Sequence, residues 1–110
     1  MAPETGARDY RRIATEEAFA IPEQFDAWRA LVKSTQSYDP DLFLARAQTD
    51  GGQLSQRLLD LDGERLRIMD EAGIAMHLLS LTSTGVQALE TEQAVTLASL
   101  ANDRLAAAIQ

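Results

Sequence analysis

Cysteine is absent from these 110 residues, which excludes a disulfide scaffold and any cysteine-based zinc site. No apolar run approaches the roughly 18 residues that span a bilayer. The first nine residues contain no apolar stretch of the kind a secretory signal needs, so the cytoplasm is the expected compartment. Basic residues are outnumbered, with 10 Lys and Arg against 17 Asp and Glu and a net charge of −7. Such a chain repels phosphate backbones and anionic lipid surfaces, so neither nucleic acid nor a membrane is an expected partner. There is no Gly-rich phosphate loop, no Walker motif and no basic stripe interleaved with aromatics. Internal repeats are missing too. The length holds one domain and is too short for a complete (β/α)8 barrel, which needs roughly 200 residues or more. What is present is ordinary for a globular domain: 45% hydrophobic and 25% charged residues.

Residues 1–11 are polar and read as a flexible leader, leaving 12–110 as one domain. Arg12-Ile13-Ala14-Thr15 is a short β-compatible run. Pro22 suits a first helical position, and Phe25, Trp28, Leu31 and Val32 then fall on one helical face ending near Lys33. Asp39-Pro40 starts a second, short helix through Ala47, which Asp50-Gly51-Gly52 breaks. From Gln53 to Ala72 apolar residues recur at helical spacing, with Gly63 a point of kinking or local interruption. Gly73 fits the left-handed position that closes a helix, and Ile74 the apolar contact just beyond it. Ala75–Leu81 is almost continuously apolar, the pattern of a parallel strand covered on both faces. A final helix runs from about Glu90. The order strand, helices, strand, helix implies α/β architecture with a long helical insertion between two parallel strands. Two strands make a poor sheet, and the last helix lacks a stop signal. The sequence therefore reads as the N-terminal piece of a larger α/β protein.

In α/β folds functional residues gather just past the C-terminal ends of strands. Two places qualify: Thr15-Glu16-Glu17 and Leu81-Thr82-Ser83-Thr84-Gly85. Adjacent residues in extended backbone point to opposite sides, so one of Glu16 and Glu17 can face a crevice and ligate a hard or borderline divalent metal. The competing reading is a solvated acidic pair. His77, the only histidine, sits mid-strand and is read as a packed, hydrogen-bonded residue, because neither Ser80 nor Ser83 is set in a nucleophile elbow. Thr82, Ser83 and Thr84 offer hydroxyls to a substrate, or else form an ordinary strand-to-helix turn. Arg11, Arg12, Arg46 and Arg57 could each hold a carboxylate, or simply solvate the surface. Asn102-Asp103 reads as a solvated helix face.

Three stretches together resemble a known family. Ile13-Ala14-Thr15-Glu16-Glu17-Ala18-Phe19-Ala20-Ile21-Pro22-Glu23 is similar to the opening strand of the metal-dependent aromatic acid decarboxylases of the amidohydrolase superfamily, the γ-resorcylate and 5-carboxyvanillate type. Arg57–Leu61 through Arg65–Ile74 resembles the helix that feeds their second strand. Leu79–Ser83 with Gly85-Val86-Gln87, then Ala101–Ala106, resembles that strand, its loop and the next helix. The resemblance implies a (β/α)8 barrel of which this chain supplies the first two strands. Many members open on Glu-x-His; here the matching pair is Glu16 and Ala18, a variant similar to the 5-carboxyvanillate branch, in which the first Glu alone represents this strand at the metal. Glu16 is thereby implied as a metal ligand, with Mn favoured over Zn. The family's other ligands, a His and an Asp, come from later strands, and its catalytic acid is the late-strand Asp, so no catalytic residue lies within the chain and His77 does not serve.

The resemblance implies non-oxidative decarboxylation of a hydroxylated aromatic acid, with Thr82 and Ser83 lining the substrate side. The 110 residues alone are expected to be inactive, since one ligand stands where at least three are needed. Two alternatives follow: a metal-dependent hydrolase of the same superfamily, because fold alone does not select a reaction, or a small non-catalytic α/β interaction module. A homo-oligomer that pairs exposed strand edges is compatible with the sequence.

Overall fold

In the computed structural model, which describes residues 10–34 and 40–109, two strands far apart in sequence meet side by side. They are β1 (Ile13–Phe19) and β2 (Met76–Leu81), hydrogen-bonded in parallel as a two-stranded sheet. Four helices lie between them: α1 (Pro22–Ser34), α2 (Pro40–Gln48), α3 (Gln53–Leu59) and α4 (Glu64–Ala72). A fifth, α5 (Thr91–Ile109), follows β2. None is long and apolar enough to cross a membrane. The expected α/β order with a helical insertion is observed. The leader falls largely outside the described residues, as does Asp39, the expected cap of α2.

β1 is longer than its composition suggests. The sequence reading ends the strand at Thr15 and places Glu16 and Glu17 beyond it. In the structure pairing continues through Glu17↔Leu79, Ala18↔Ser80 and Phe19↔Leu81, after a register irregularity between Ala14 and Glu17. Glu and Ala are weak strand formers. Here the backbone groups of β2 provide the partner, and tertiary pairing overrides local preference. Both glutamates thus stand within the strand, not past its end.

The segment 53–72 divides into two helices. Asp60 is the reason: its carboxylate accepts the Gly63 N–H at 2.8 Å through Oδ1 and the Arg65 N–H at 2.8 Å through Oδ2. These bonds satisfy donors at the start of α4 that no helical carbonyl can reach. α4 closes as the sequence predicts. Gly73 has φ 71°, its N–H donates to Asp70 O at 3.2 Å, and the Ile74 N–H donates to Met69 O at 2.9 Å, the paired bonds of a Schellman ending.

Two apolar clusters hold the helices to the sheet. Phe19, Ile21, Ala27, Leu97 and Ala101 form one, against Leu79 and Leu81. Ala20, Phe25, Trp28, Ala45 and Leu58 form the other, against Ala18. Phe25 and Trp28 pack as tilted rings with centroids 5.7 Å apart. Each large side chain so buried contributes about 1.5–3 kcal/mol by removal of apolar area from water. The expectation that β2 is covered on both faces is not met. His77, Leu79 and Leu81 are half-buried, whereas Met76, Leu78 and Ser80 are exposed, Leu78 by 50%. The reason is where the helices pack: residues of α1 and α5 cover Leu79 and Leu81, whereas the second cluster reaches Ala18 of β1 and none of Met76, Leu78 and Ser80.

Backbone and side-chain bonds fix where β1 ends. Ala20 N–H donates to Leu58 O at 2.9 Å. The Arg65 guanidinium donates to Ala18 O at 2.8 Å, to Asp60 O at 2.7 Å and to Arg57 O at 3.1 Å. At the other end Arg12 Nη1 donates to Ala72 O at 3.3 Å, tying the start of β1 to the end of α4.

Candidate functional site

Strand β1 presents Glu16 in an extended backbone with its carboxylate exposed. Among the described residues Glu16 makes no ion pair or side-chain hydrogen bond, so its oxygens are open to a cation. It lines a cleft of about 370 Å³ together with Glu17, Arg57, Asp60, Arg65 and His77, with Leu54, Leu58 and Ile68 as apolar wall. No group of three metal-ligating side chains occurs among the described residues. Glu16, Glu17, Asp60, Glu64 and His77 line the cleft, but no three of them are grouped as a metal ion would need among the described residues.

His77 is half-buried on the face of β2 shared with Leu79 and Leu81. Its Nδ1 is shielded from solvent and meets no hydrogen-bonding group among the described residues. Against the reading of a packed, hydrogen-bonded ring, His77 is only half-buried and its Nδ1 has no partner among the described residues. Arg57 faces the Glu16 cleft. Arg11 and Arg46 are exposed, and Arg12 is spent on the Ala72 carbonyl. Asn102 and Asp103 lie on the exposed face of α5.

Asp60 and Arg65, hydrogen-bonded to each other, also line this cleft, and the sequence reading assigns neither a role. The Arg65 amide, above all, holds the Asp60 carboxyl below the ordinary aspartate range. Burial opposes this, and the amides of Gly63 and Asp62 and the Arg65 charge assist it. A carboxyl whose pKa is depressed on folding stabilises the fold above its unfolded pKa, and that contribution is lost as pH falls through the folded value. Asp60→Asn is therefore expected to lower stability at pH 7 by about 1 kcal/mol, because the amide has one acceptor oxygen for the two N–H groups that the carboxylate now accepts. The gap to wild type should shrink on going to pH 2.5. Urea unfolding followed by circular dichroism at the two pH values checks this; a gap that is constant or widens in acid contradicts it.

The second expected place, the loop after β2, is built differently. Thr82 is buried, 7% exposed, and its hydroxyl donates to Gln48 Oε1 at 2.8 Å. Its N–H donates to Phe19 O at 2.8 Å, so the exit ends of β1 and β2 are level with each other. Ser83 is exposed and lines a second cleft of about 510 Å³ with Leu44, Leu81, Thr84, Gly85, Val86 and Gln87. The two clefts share no lining residue: the structure brings Thr82 and Ser83 together, with one hydroxyl engaged and one open, and sets Glu16 apart from both.

No family model matches the chain. It is 40% identical over 96 residues to the γ-resorcylate decarboxylase of Rhodococcus jostii and 34% identical to that of Rhizobium radiobacter. Each alignment covers 86% of this chain and 25% of the relative. Among solved structures it is similar to 5-carboxyvanillate decarboxylase from Sphingomonas paucimobilis, with TM-score 0.80 and 40% identity over 90% of this chain and 30% of that one. The 5-carboxyvanillate decarboxylase of Novosphingobium aromaticivorans, complexed with manganese and 4-hydroxy-3-methoxy-5-nitrobenzoic acid, aligns with TM-score 0.78 and 41% identity, covering 91% of this chain and 30% of that one. A 2,6-dihydroxybenzoate decarboxylase complexed with 2,6-dihydroxybenzoate aligns with TM-score 0.60 and 33% identity, covering 89% of this chain and 26% of that one. The chain thus spans between a quarter and a third of the length of the relatives it matches.

Proposed function

Starting from homology to the N-terminal part of the γ-resorcylate and 5-carboxyvanillate decarboxylases, we propose that this chain supplies two strands and the first metal-binding carboxylate of an active site for non-oxidative decarboxylation of a hydroxylated aromatic acid. The observation that carries the reading is the match to the Sphingomonas enzyme, at 40% identity and TM-score 0.80. The lower TM-score against the dihydroxybenzoate enzyme, 0.60, favours a substrate of the carboxyvanillate kind. So does Ala18, which stands where a second ligand of the Glu-x-His pattern would be. The two strands would be the first two of a (β/α)8 barrel.

Glu16 is the residue that would hold the metal, as an exposed carboxylate with no competing partner among the described residues. Oxygen ligation with a missing histidine favours Mn over Zn, and manganese is present in the Novosphingobium structure. When bound, the metal supplies Lewis-acid polarisation of the substrate carboxylate and its neighbouring phenolic oxygen. Glu17, the next residue of β1, pairs its backbone with Leu79 and contributes to the wall of the same cleft. Ser83 offers the substrate-side hydroxyl. Thr82 contributes to that side through the loop it anchors rather than by its own hydroxyl, which Gln48 occupies. The proton that takes the place of the departing carboxyl group comes from a group outside these residues.

A chimera tests the reading: residues 12–109 replace the matching segment of the Sphingomonas enzyme. It is expected to release CO2 from 5-carboxyvanillate in a Mn-dependent reaction, whereas the 110-residue chain by itself gives no turnover. In the chimera Glu16→Gln should weaken Mn binding, read by titration, at least tenfold, with Glu17→Gln close to unchanged. A folded chimera whose Mn affinity ignores Glu16→Gln would refute the assignment of Glu16. Turnover by the isolated chain would refute the need for ligands from elsewhere.

A further inference from the structure

The loop that leaves β2 is held one carbonyl at a time by side chains from the helical insertion. Gln24 of α1, fully buried, donates through Nε2 to Thr82 O at 3.3 Å. Gln48, the last residue of α2, donates through Nε2 to Ser83 O at 3.0 Å and accepts the Thr82 hydroxyl on Oε1 at 2.8 Å. Trp28 of α1 donates through its indole N–H to Gly85 O at 3.0 Å. Three of four successive carbonyls in residues 82–85 therefore have a side-chain donor from an element nearly 60 or 35 positions earlier. A turn needs none of this. Its own bond, from the Gly85 N–H to Thr82 O at 2.7 Å, already closes it.

We infer that Gln48, Gln24 and Trp28 are positioning residues, whose donors lock the β2 exit loop in one shape and keep Ser83 turned to the open cleft. The inference goes beyond the decarboxylase reading, though it gives the helical insertion a task within it. The physical basis is the cost of leaving carbonyls without donors in a half-buried loop. Gln48 has a double role: a side-chain amide has both a donor and an acceptor, and here each is used on adjacent residues. A carboxylate in its place keeps the acceptor for Thr82 and faces Ser83 O with a second oxygen.

The test uses the 110-residue chain without metal or aromatic acid, so that its outcome is independent of the proposed reaction. Gln48→Glu deletes one donor with little change in volume, and Trp28→Phe deletes one together with part of the buried ring. Carbonyl ¹³C resonances and amide hydrogen exchange are recorded for wild type and both variants. In Gln48→Glu the Ser83 carbonyl resonance should move while that of Gly85 stays; in Trp28→Phe the reverse should hold. Exchange at Gly85 and Gln87 is expected to accelerate at least tenfold in each variant, with amides of α5 within threefold of wild type. A general loss of stability would accelerate loop and α5 together, which overturns the inference, as does a loop whose shifts and exchange remain those of wild type. Should Trp28→Phe prove too unstable to study, Gln48→Leu serves as the second variant, with the Ser83 and Thr82 signals as its readout.

Discussion

Trp28→Ala is expected to destabilise the chain by about 3–5 kcal/mol, the range for truncating a large aromatic in a packed core. Trp28 is 1% exposed and sits between Ala20, Phe25, Ala45 and Leu58. Truncation opens a void that residues on three different elements line, and helices anchored elsewhere cannot collapse into it. It also strips the donor from Gly85 O, adding a polar cost to the apolar one. For a domain of this size, with roughly 5–15 kcal/mol of total stability, such a loss leaves little cooperative structure. Circular dichroism during urea unfolding is the suitable probe, because Trp28 is the only tryptophan and its removal abolishes the usual fluorescence signal. A midpoint within experimental scatter of wild type would show that the α1–α2–α3 cluster does not hold the fold together.

Arg65→Met is expected to cost about 2–4 kcal/mol, although methionine retains most of the side chain's length and apolar stem. The guanidinium is the common donor for Asp60 O, Ala18 O and Arg57 O. One planar fork spans three carbonyls from two elements and a loop, which a compact ammonium cannot reproduce. Arg65→Lys should recover less than half of the loss. The Ala18 carbonyl lies two residues from Glu16, so the damage is directed at the strand that bears the candidate ligand. Equilibrium unfolding gives the magnitude, and amide exchange along β1 gives the location. Full recovery by lysine would mean that charge alone, and not the fork, supports the strand.

Much of this architecture can be read directly from the residues. Pro22 and Pro40 mark helix starts, Gly73 a helix end, and the apolar run before Thr82 a strand, because each of these is a local preference that tertiary structure happens to respect. The homology is legible in the order of the three stretches that resemble the decarboxylases. Three features escaped. The extension of β1 through Glu16–Phe19 depends on a partner more than 50 residues away, and no window of local sequence contains that partner. The open face of β2 depends on how many layers surround it, whereas an apolar run states only what the strand tolerates. The role of Arg65 depends on backbone carbonyls, which carry no sequence identity. In the candidate site, the exposure of Glu16 depends on the register irregularity between Ala14 and Glu17, which breaks the simple alternation a strand would give. The division of labour between Thr82 and Ser83 turns on Gln48, a glutamine at the end of a helix that no motif distinguishes.

The parallel pairing of β1 with β2 also sets an order of events on the ribosome. Arg12 and Ala72 are 60 positions apart, and Gln24 and Thr82 58. Closing a loop of that length costs about 3–4 kcal/mol of chain entropy before the first strand bond offsets it. The helices can form as they emerge, but β1 has no partner until β2 has been made, and Trp28 has no acceptor until Gly85 has followed. The candidate ligand is thus translated well before its partner strand and is among the last residues to acquire a fixed position. During that interval the strand edge on which it stands is open to any extended segment nearby. Two acidic side chains in its middle make it a poor template for adventitious pairing, a second benefit of the carboxylates and one that persists on the edge of β1 that β2 does not cover.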